Sequence, residues 1–170
     1  MKRRFFLILG SLVGLSPYIF GSGKKRYLAN ETVKEVEKTI QAVQEHLFPE
    51  GSKIPSARAM AATPYLFDAI GDKRYDKDIR AFVIEGAKAL ELREKGRFAE
   101  FNEKEKERAL REYEKTNYGS RWLGRIMTLT MEGMFGDPVY GSNIKKSGWR
   151  ALHTKGGDPR PKTRYIYDQI

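Results

Sequence analysis

The sequence predicts an all-α fold: a small domain of about five helices followed by a long irregular C-terminal tail. Three observations predict it. Apolar residues recur every three or four positions in successive segments up to residue 135. No alternating strand pattern of useful length follows residue 26, and Gly and Pro crowd residues 136–170. With 170 residues, of which 40% are hydrophobic and 12% aromatic, the chain can bury one core but is too short for two domains plus its N-terminal apolar segment. Residues 1–26 therefore read as an address and residues 27–170 as a single helical domain.

The first helix is announced by Thr32 and Glu35 at capping-box spacing, with Val33, Val36, Ile40, Val43 and Leu47 forming one apolar face. Phe48-Pro49-Glu50-Gly51 ends it, because Pro cannot donate the next helical hydrogen bond and Gly accepts the left-handed turn. A second helix is expected from Ser56 through Ala59, Ala62, Leu66, Phe67 and Ile70 to Gly71, with Pro64 as a kink or as its true start. A third, from Asp76 to Lys95, carries Ile79, Phe82, Val83, Ala87 and Leu90 on one face and stops at Gly96. Asn102 and Glu105 cap a fourth, whose thin stripe of Ala109, Leu110 and Tyr113 implies a solvated outer face. Ser120 is expected to open a fifth and central helix, running from Arg121 to about Phe135. Leu123, Ile126, Met127, Thr130, Met131 and Met134 form its broad apolar face. Regular structure is expected to end at Gly136. A tail so rich in Tyr, Trp, Pro and Gly is expected to lie along its own helices or another subunit.

The N-terminus has the build of an export signal. Lys2, Arg3 and Arg4 precede an uncharged apolar run, Phe5 to Phe20, which is diluted by Gly, Ser and Pro and falls short of the ~20 apolar residues of a spanning helix. Arg3-Arg4 followed by Phe5, Phe6 and Leu7 resembles the twin-arginine signal, whose transporter accepts folded cargo. Lys2 and Ile8 depart from that pattern, and a general secretory signal with two incidental arginines is the alternative. Gly21-Ser22-Gly23 is the nearest candidate for a cleavage site.

Composition excludes several functions. The net charge of +10 is concentrated at the N-terminus: six of the 32 basic residues lie in residues 1–26, where there is no acid, so the remainder nearly balances the 22 acidic residues. No basic stripe interleaved with stacking aromatics is present, and nucleic acid is not an expected partner. The absence of cysteine removes thiolate metal sites, iron–sulfur clusters and covalent haem attachment. No Gly-x-Ser-x-Gly elbow or phosphate loop occurs, and His46 and His153 lack paired ligand spacing. Asp68, Asp72, Asp76 and Asp78 read as a solvated turn, residues 103–107 as an exposed helical face, and Met127, Met131 and Met134 as core filler. The chain is expected to carry no catalytic residue, cofactor or metal of its own.

Glu132-Gly133-Met134-Phe135-Gly136-Asp137-Pro138-Val139-Tyr140-Gly141-Ser142-Asn143, followed by Gly148-Trp149, resembles the signature of the gluconate 2-dehydrogenase subunit 3 family. The earlier helices fit that family more loosely, through the Phe-Pro segment, Tyr65, and Phe98 with Phe101. The resemblance implies a non-catalytic small subunit paired with a large FAD-dependent flavoprotein that oxidises gluconate or a related sugar or sugar acid. A multihaem cytochrome c is often the third member of such complexes. It further implies that the small subunit bears the twin-arginine signal and escorts the folded pair to the periplasm, where the complex associates with the inner membrane. Glu132, Asp137, Tyr140, Asn143, Trp149 and Arg150 are the candidate partner contacts, since Tyr, Trp and Arg are enriched at interface hot spots. Alternatively, Asp137-Pro138 and Gly141 form a turn, with Tyr140 and Trp149 packed on the chain's own helices. Two other readings stand beside the subunit: a free-standing periplasmic adaptor or binding protein, and an enzyme using Glu132 and Asp137 as a carboxylate pair.

Overall fold

The computed structural model describes residues 31–163, with side chains described from residue 36 onward. The candidate export signal, Arg3 to Leu7, and the Thr32–Glu35 capping box lie outside the described residues or side chains. The described residues form an all-α domain of six α-helices with three short 3-10 turns and no strand.

Helix α1 spans Glu31–Leu47, α2 Ala62–Gly71, α3 Lys77–Arg93, α4 Glu103–Glu114, α5 Asn117–Phe135 and α6 Ser147–Ala151. The periodic apolar positions point inward as expected: Val36, Ile40 and Val43 of α1, Leu66, Phe67 and Ile70 of α2, Val83, Ala87 and Leu90 of α3, and Ala109, Leu110 and Tyr113 of α4 share one core. Caps set the boundaries. The Asp76 carboxylate accepts from the backbone N–H groups of Asp78 and Ile79 at 2.8 and 3.0 Å, fixing the start of α3. Asn102 and Glu105 form the full capping box of α4, each accepting from the other's backbone at 3.0 Å.

Two helix starts differ from expectation. Helix α2 begins at Ala62, because Ala61 takes a left-handed conformation with φ 55°; residues 56–61 are a turn instead of a first helical segment. Pro64 then falls within the first turn of α2, where its missing N–H has no helical acceptor to satisfy. Helix α5 begins at Asn117, one turn earlier than Ser120, because the Thr116 hydroxyl accepts from Gly119 N–H at 2.9 Å.

Helix α5 is central, touching every other α-helix. Its buried face is Trp122, Ile126, Leu129, Thr130 and Met134, with Gly119 and Gly133. Met127 and Met131, expected in the core, are 37% and 45% exposed. Trp122 takes that place: its Nε1–H donates to Val83 O at 2.9 Å, and its ring lies edge-on to Tyr113 at 5.7 Å. The ring fits because α3 has Gly86 opposite it, where a Cβ would stand 2.0 Å from Trp122 Cδ1. A buried polar chain crosses the same core. Thr63 Oγ1–H donates to Gln44 Oε1 at 2.7 Å, Gln44 Nε2–H to Thr130 Oγ1 at 3.0 Å, and Thr130 Oγ1–H to Ile126 O at 2.7 Å. Every member of that chain is satisfied, so it can fix the relative positions of α1, α2 and α5 without a desolvation penalty.

Candidate functional site

The segment after α5 is ordered rather than loose. Pro138–Tyr140 and Ile144–Lys146 form 3-10 turns and lead into α6, so regular structure continues past Gly136. Asn143 is its hub. Completely buried, with φ 49°, it donates from Nδ2 to Gly136 O at 2.8 Å and accepts at Oδ1 from Gly148 N–H at 2.8 Å. Its own N–H reaches Met60 O at 3.1 Å, tying the loop to the turn before α2. Asn suits this position because it tolerates the left-handed region while offering both a donor and an acceptor. Gly148 is required beside it, since a Cβ there would lie 2.2 Å from Met134 O.

Trp149 closes the loop from the other side. It is 7% exposed, and its Nε1–H donates to Phe135 O at 2.6 Å. The tail then folds back over it: Arg160 places its guanidinium 5.1 Å from the Trp149 ring centroid and grips both Asp137 oxygens at 2.9 and 3.0 Å. Asp137 Oδ1 also accepts from Val139 N–H at 3.0 Å. The Arg160 hydrogen bonds hold the Asp137 carboxyl below the usual carboxylate range.

The six candidate partner residues therefore divide. Asp137, Asn143 and Trp149 are brought together and bonded within the chain. Tyr140 is half-buried on its 3-10 turn, and Glu132 and Arg150 are exposed. Asp137 and Glu132 make a poor acid–base pair, because both Asp137 oxygens already face a guanidinium. Among the described residues no three His, Asp or Glu side chains are arranged to hold a metal ion, and no helix is long and apolar enough to cross a membrane.

A second region carries features that sequence reasoning missed. The N-terminal half of α3 and the outer flank of α5 enclose an open groove of about 550 Å³, with Asp78, Ile79 and Phe82 facing Arg121, Gly124, Arg125 and Thr128. Tyr118 lies edge-on to Phe82 at 5.2 Å, and the Arg121 guanidinium sits 6.0 Å from the Phe82 ring centroid. Neither Arg121 nor Arg125 forms an ion pair among the described residues. Where α2 packs on the far end of α5, burial pushes the pKa of Tyr65 up to about 12, reinforced by the charge of Glu132. Desolvation raises Glu132 itself, against the nearby charge of Arg125.

Gly124 is the odd residue of this region. A glycine inside a helix costs about 0.5–1 kcal/mol relative to alanine. Gly86, Gly119 and Gly133 have a packing reason for it, since a Cβ would stand 2.0 Å from Trp122, 2.1 Å from Tyr113 O and 2.9 Å from Tyr65, respectively. At Gly124 a Cβ would meet none of the described residues within 4 Å.

The larger pocket, about 730 Å³ between α1 and the start of α4, is different in kind because several of its charges, though not Lys38 or Glu100, are already engaged. Arg58 pairs with Glu45 at 2.7 Å, and Glu91 accepts from Thr39 Oγ1–H at 2.6 Å. Beside it, His46 lies between Glu103 and Glu107 at 2.9 and 2.7 Å, and its hydrogen bonds hold both carboxyls below their usual range.

Comparison with known proteins gives one match. The family model described as gluconate 2-dehydrogenase subunit 3 matches residues 34–157, a span that takes in α1 to α6, the groove and the Asn143 loop. No curated protein and no solved structure matches the chain.

Proposed function

The chain belongs to the gluconate 2-dehydrogenase subunit 3 family, and from that membership we propose that it is the non-catalytic small subunit of a periplasmic FAD-dependent dehydrogenase complex. In this reading the large subunit holds FAD and the sugar or sugar-acid substrate, a multihaem cytochrome c is a possible third member, and the complex sits at the inner membrane. The small subunit stabilises the flavoprotein and escorts it, already folded, through the twin-arginine route by way of Arg3 and Arg4.

The observation that carries this reading is the family match across the helical domain and its signature loop. The geometry supports it in a second way. The polar groups of the signature are engaged within the chain, Asn143 with Gly136 and Gly148, and Asp137 with Arg160 of the following tail, which is how a rigid scaffold is built. An accessory role also accounts for a chain with an export-type N-terminus and no nucleophile motif.

The test is recovery of the complex from cells. A C-terminally tagged chain at native expression level is expected to bring down a yellow flavoprotein from the periplasmic and membrane fractions. Changing Arg3 and Arg4 together to Lys is expected to remove both proteins from the periplasm. A tagged chain recovered alone, exported and without flavin, would overturn this reading in favour of the free-standing adaptor.

A further inference from the structure

We infer that the α3–α5 groove is the surface on which the flavoprotein subunit docks, through a segment that presents carboxylates to Arg121 and Arg125 and packs closely over Gly124. The inference rests on the accessory-subunit reading and adds to it the face that makes the contact.

Three independent observations converge on this groove. The first is charge. Arg58, Arg74, Arg93, Arg108, Arg111 and Arg160 each pair with a carboxylate, whereas Arg80, Arg97, Arg121, Arg125 and Arg150 form no ion pair among the described residues; of these, Arg121 and Arg125 stand side by side on one flank of α5, where they outnumber the single carboxylate lining the groove, Asp78. An arginine fork held on a helix, with Phe82 beneath Arg121, is pre-organised for bidentate carboxylate recognition. The second is composition. Phe82, Tyr118 and the two arginines are the residue types that anchor interfaces, and Tyr118 is 41% exposed although it is a large aromatic.

The third observation is Gly124. None of the described residues fills the space above its Cα, so the packing among them gives no reason for a residue that weakens the helix. A close approach by another chain does. The groove is open to solvent along α5, with Ile79 and Phe82 as its apolar wall, so an incoming segment can lie against the helix backbone at Gly124 with its acidic groups over the arginines. Glu132, exposed at the far end of the helix, is placed to accept a donor from the same partner.

The experiment uses the full-length tagged chain co-expressed with the flavoprotein subunit. It measures flavin recovered per tagged chain from whole-cell lysate, so that export does not enter the readout. Gly124→Trp fills the groove, and Arg121→Glu with Arg125→Glu reverses its charge. Each is expected to lower flavin recovery at least tenfold, while Lys104→Glu on the exposed face of α4 leaves it unchanged. Gly124→Ala, which raises helix propensity and meets no atom of the described residues, is expected to melt at a higher temperature than wild type yet lower recovery severalfold. A better-folded variant that binds less well separates docking from misfolding. Groove variants that recover flavin at the wild-type level would overturn the docking face and leave the accessory-subunit reading standing. A wild-type chain that recovers none would overturn both.

Discussion

The Asn143 loop and the α3–α5 groove contain similar residue types, aromatic rings beside arginines, and treat them in opposite ways. In the loop the arginine meets a carboxylate and a ring of its own chain: Arg160 lies on Trp149 and grips Asp137. In the groove Arg121 meets a ring, and among the described residues neither Arg121 nor Arg125 forms an ion pair, although Asp78 lines the same groove and Glu132 lies near Arg125. The polar groups of Asp137, Asn143 and Trp149 are bonded within the chain, whereas the arginines on the flank of α5 form no ion pair among the described residues. Residue type marks both regions, and only the partners reveal which one faces outward.

Removing the hub should break the comparison most strongly. Asn143→Ala leaves Gly136 O and Gly148 N–H buried without partners, and at about 1–3 kcal/mol for each such group the chain is expected to lose roughly 2–4 kcal/mol of stability, read from the urea midpoint. The glycines sharpen the contrast at a smaller scale. Gly86→Ala drives a Cβ into the Trp122 ring and should destabilise by about 1–3 kcal/mol. Gly124→Ala on the facing helix should stabilise the isolated chain by about 0.5–1 kcal/mol. Paired thermal melts of the two variants check both signs. A destabilised Gly124→Ala would mean that the groove is already filled.

The smallest effect concerns the tail. Because Arg160 depresses the Asp137 carboxyl in the folded chain, the unfolded chain binds the proton more readily, and the pair stabilises only above the unfolded carboxylate range. The contribution is present at neutral pH and fades as pH falls through about 4 and below. Asp137→Asn is expected to melt slightly lower than wild type at pH 7 and to converge with it in acid. A gap that persists in acid would assign the pair no role in stability.

Much of the helical framework was legible because spacing and caps are local. Val36, Ile40 and Val43 on α1, Asp76 before α3 and the Asn102–Glu105 box all announce themselves within one or two turns. The errors came where local signals compete or partners are distant. Thr116 and Ser120 are both good N-cap residues, and only the hydroxyl of Thr116 meets Gly119 N–H. Met127 and Met131 read as core because they are apolar, but the inward face of α5 is set by Trp122, whose partners Val83 and Gly86 lie on another helix. The candidate site divided in the same way. The signature drew attention to Asp137, Asn143 and Trp149, whose internal bonds depend on the distant Arg160, Phe135 and Met60. The groove went unread because Ile79 and Phe82 belong to α3 and Arg121, Gly124 and Arg125 to α5, and a helical glycine with open space cannot be told by sequence from one with a ring against it.

Hydroxyl-radical footprinting of the full chain, alone and in its complex, tests the central claim most directly. Phe82 and Tyr118 are expected to be reactive in the free chain and protected in the complex, whereas Trp149, enclosed by its own chain, is expected to react weakly in both. Strong protection of Trp149 and Tyr140 on complex formation, with Phe82 and Tyr118 unchanged, would contradict the account and make the signature loop the interface.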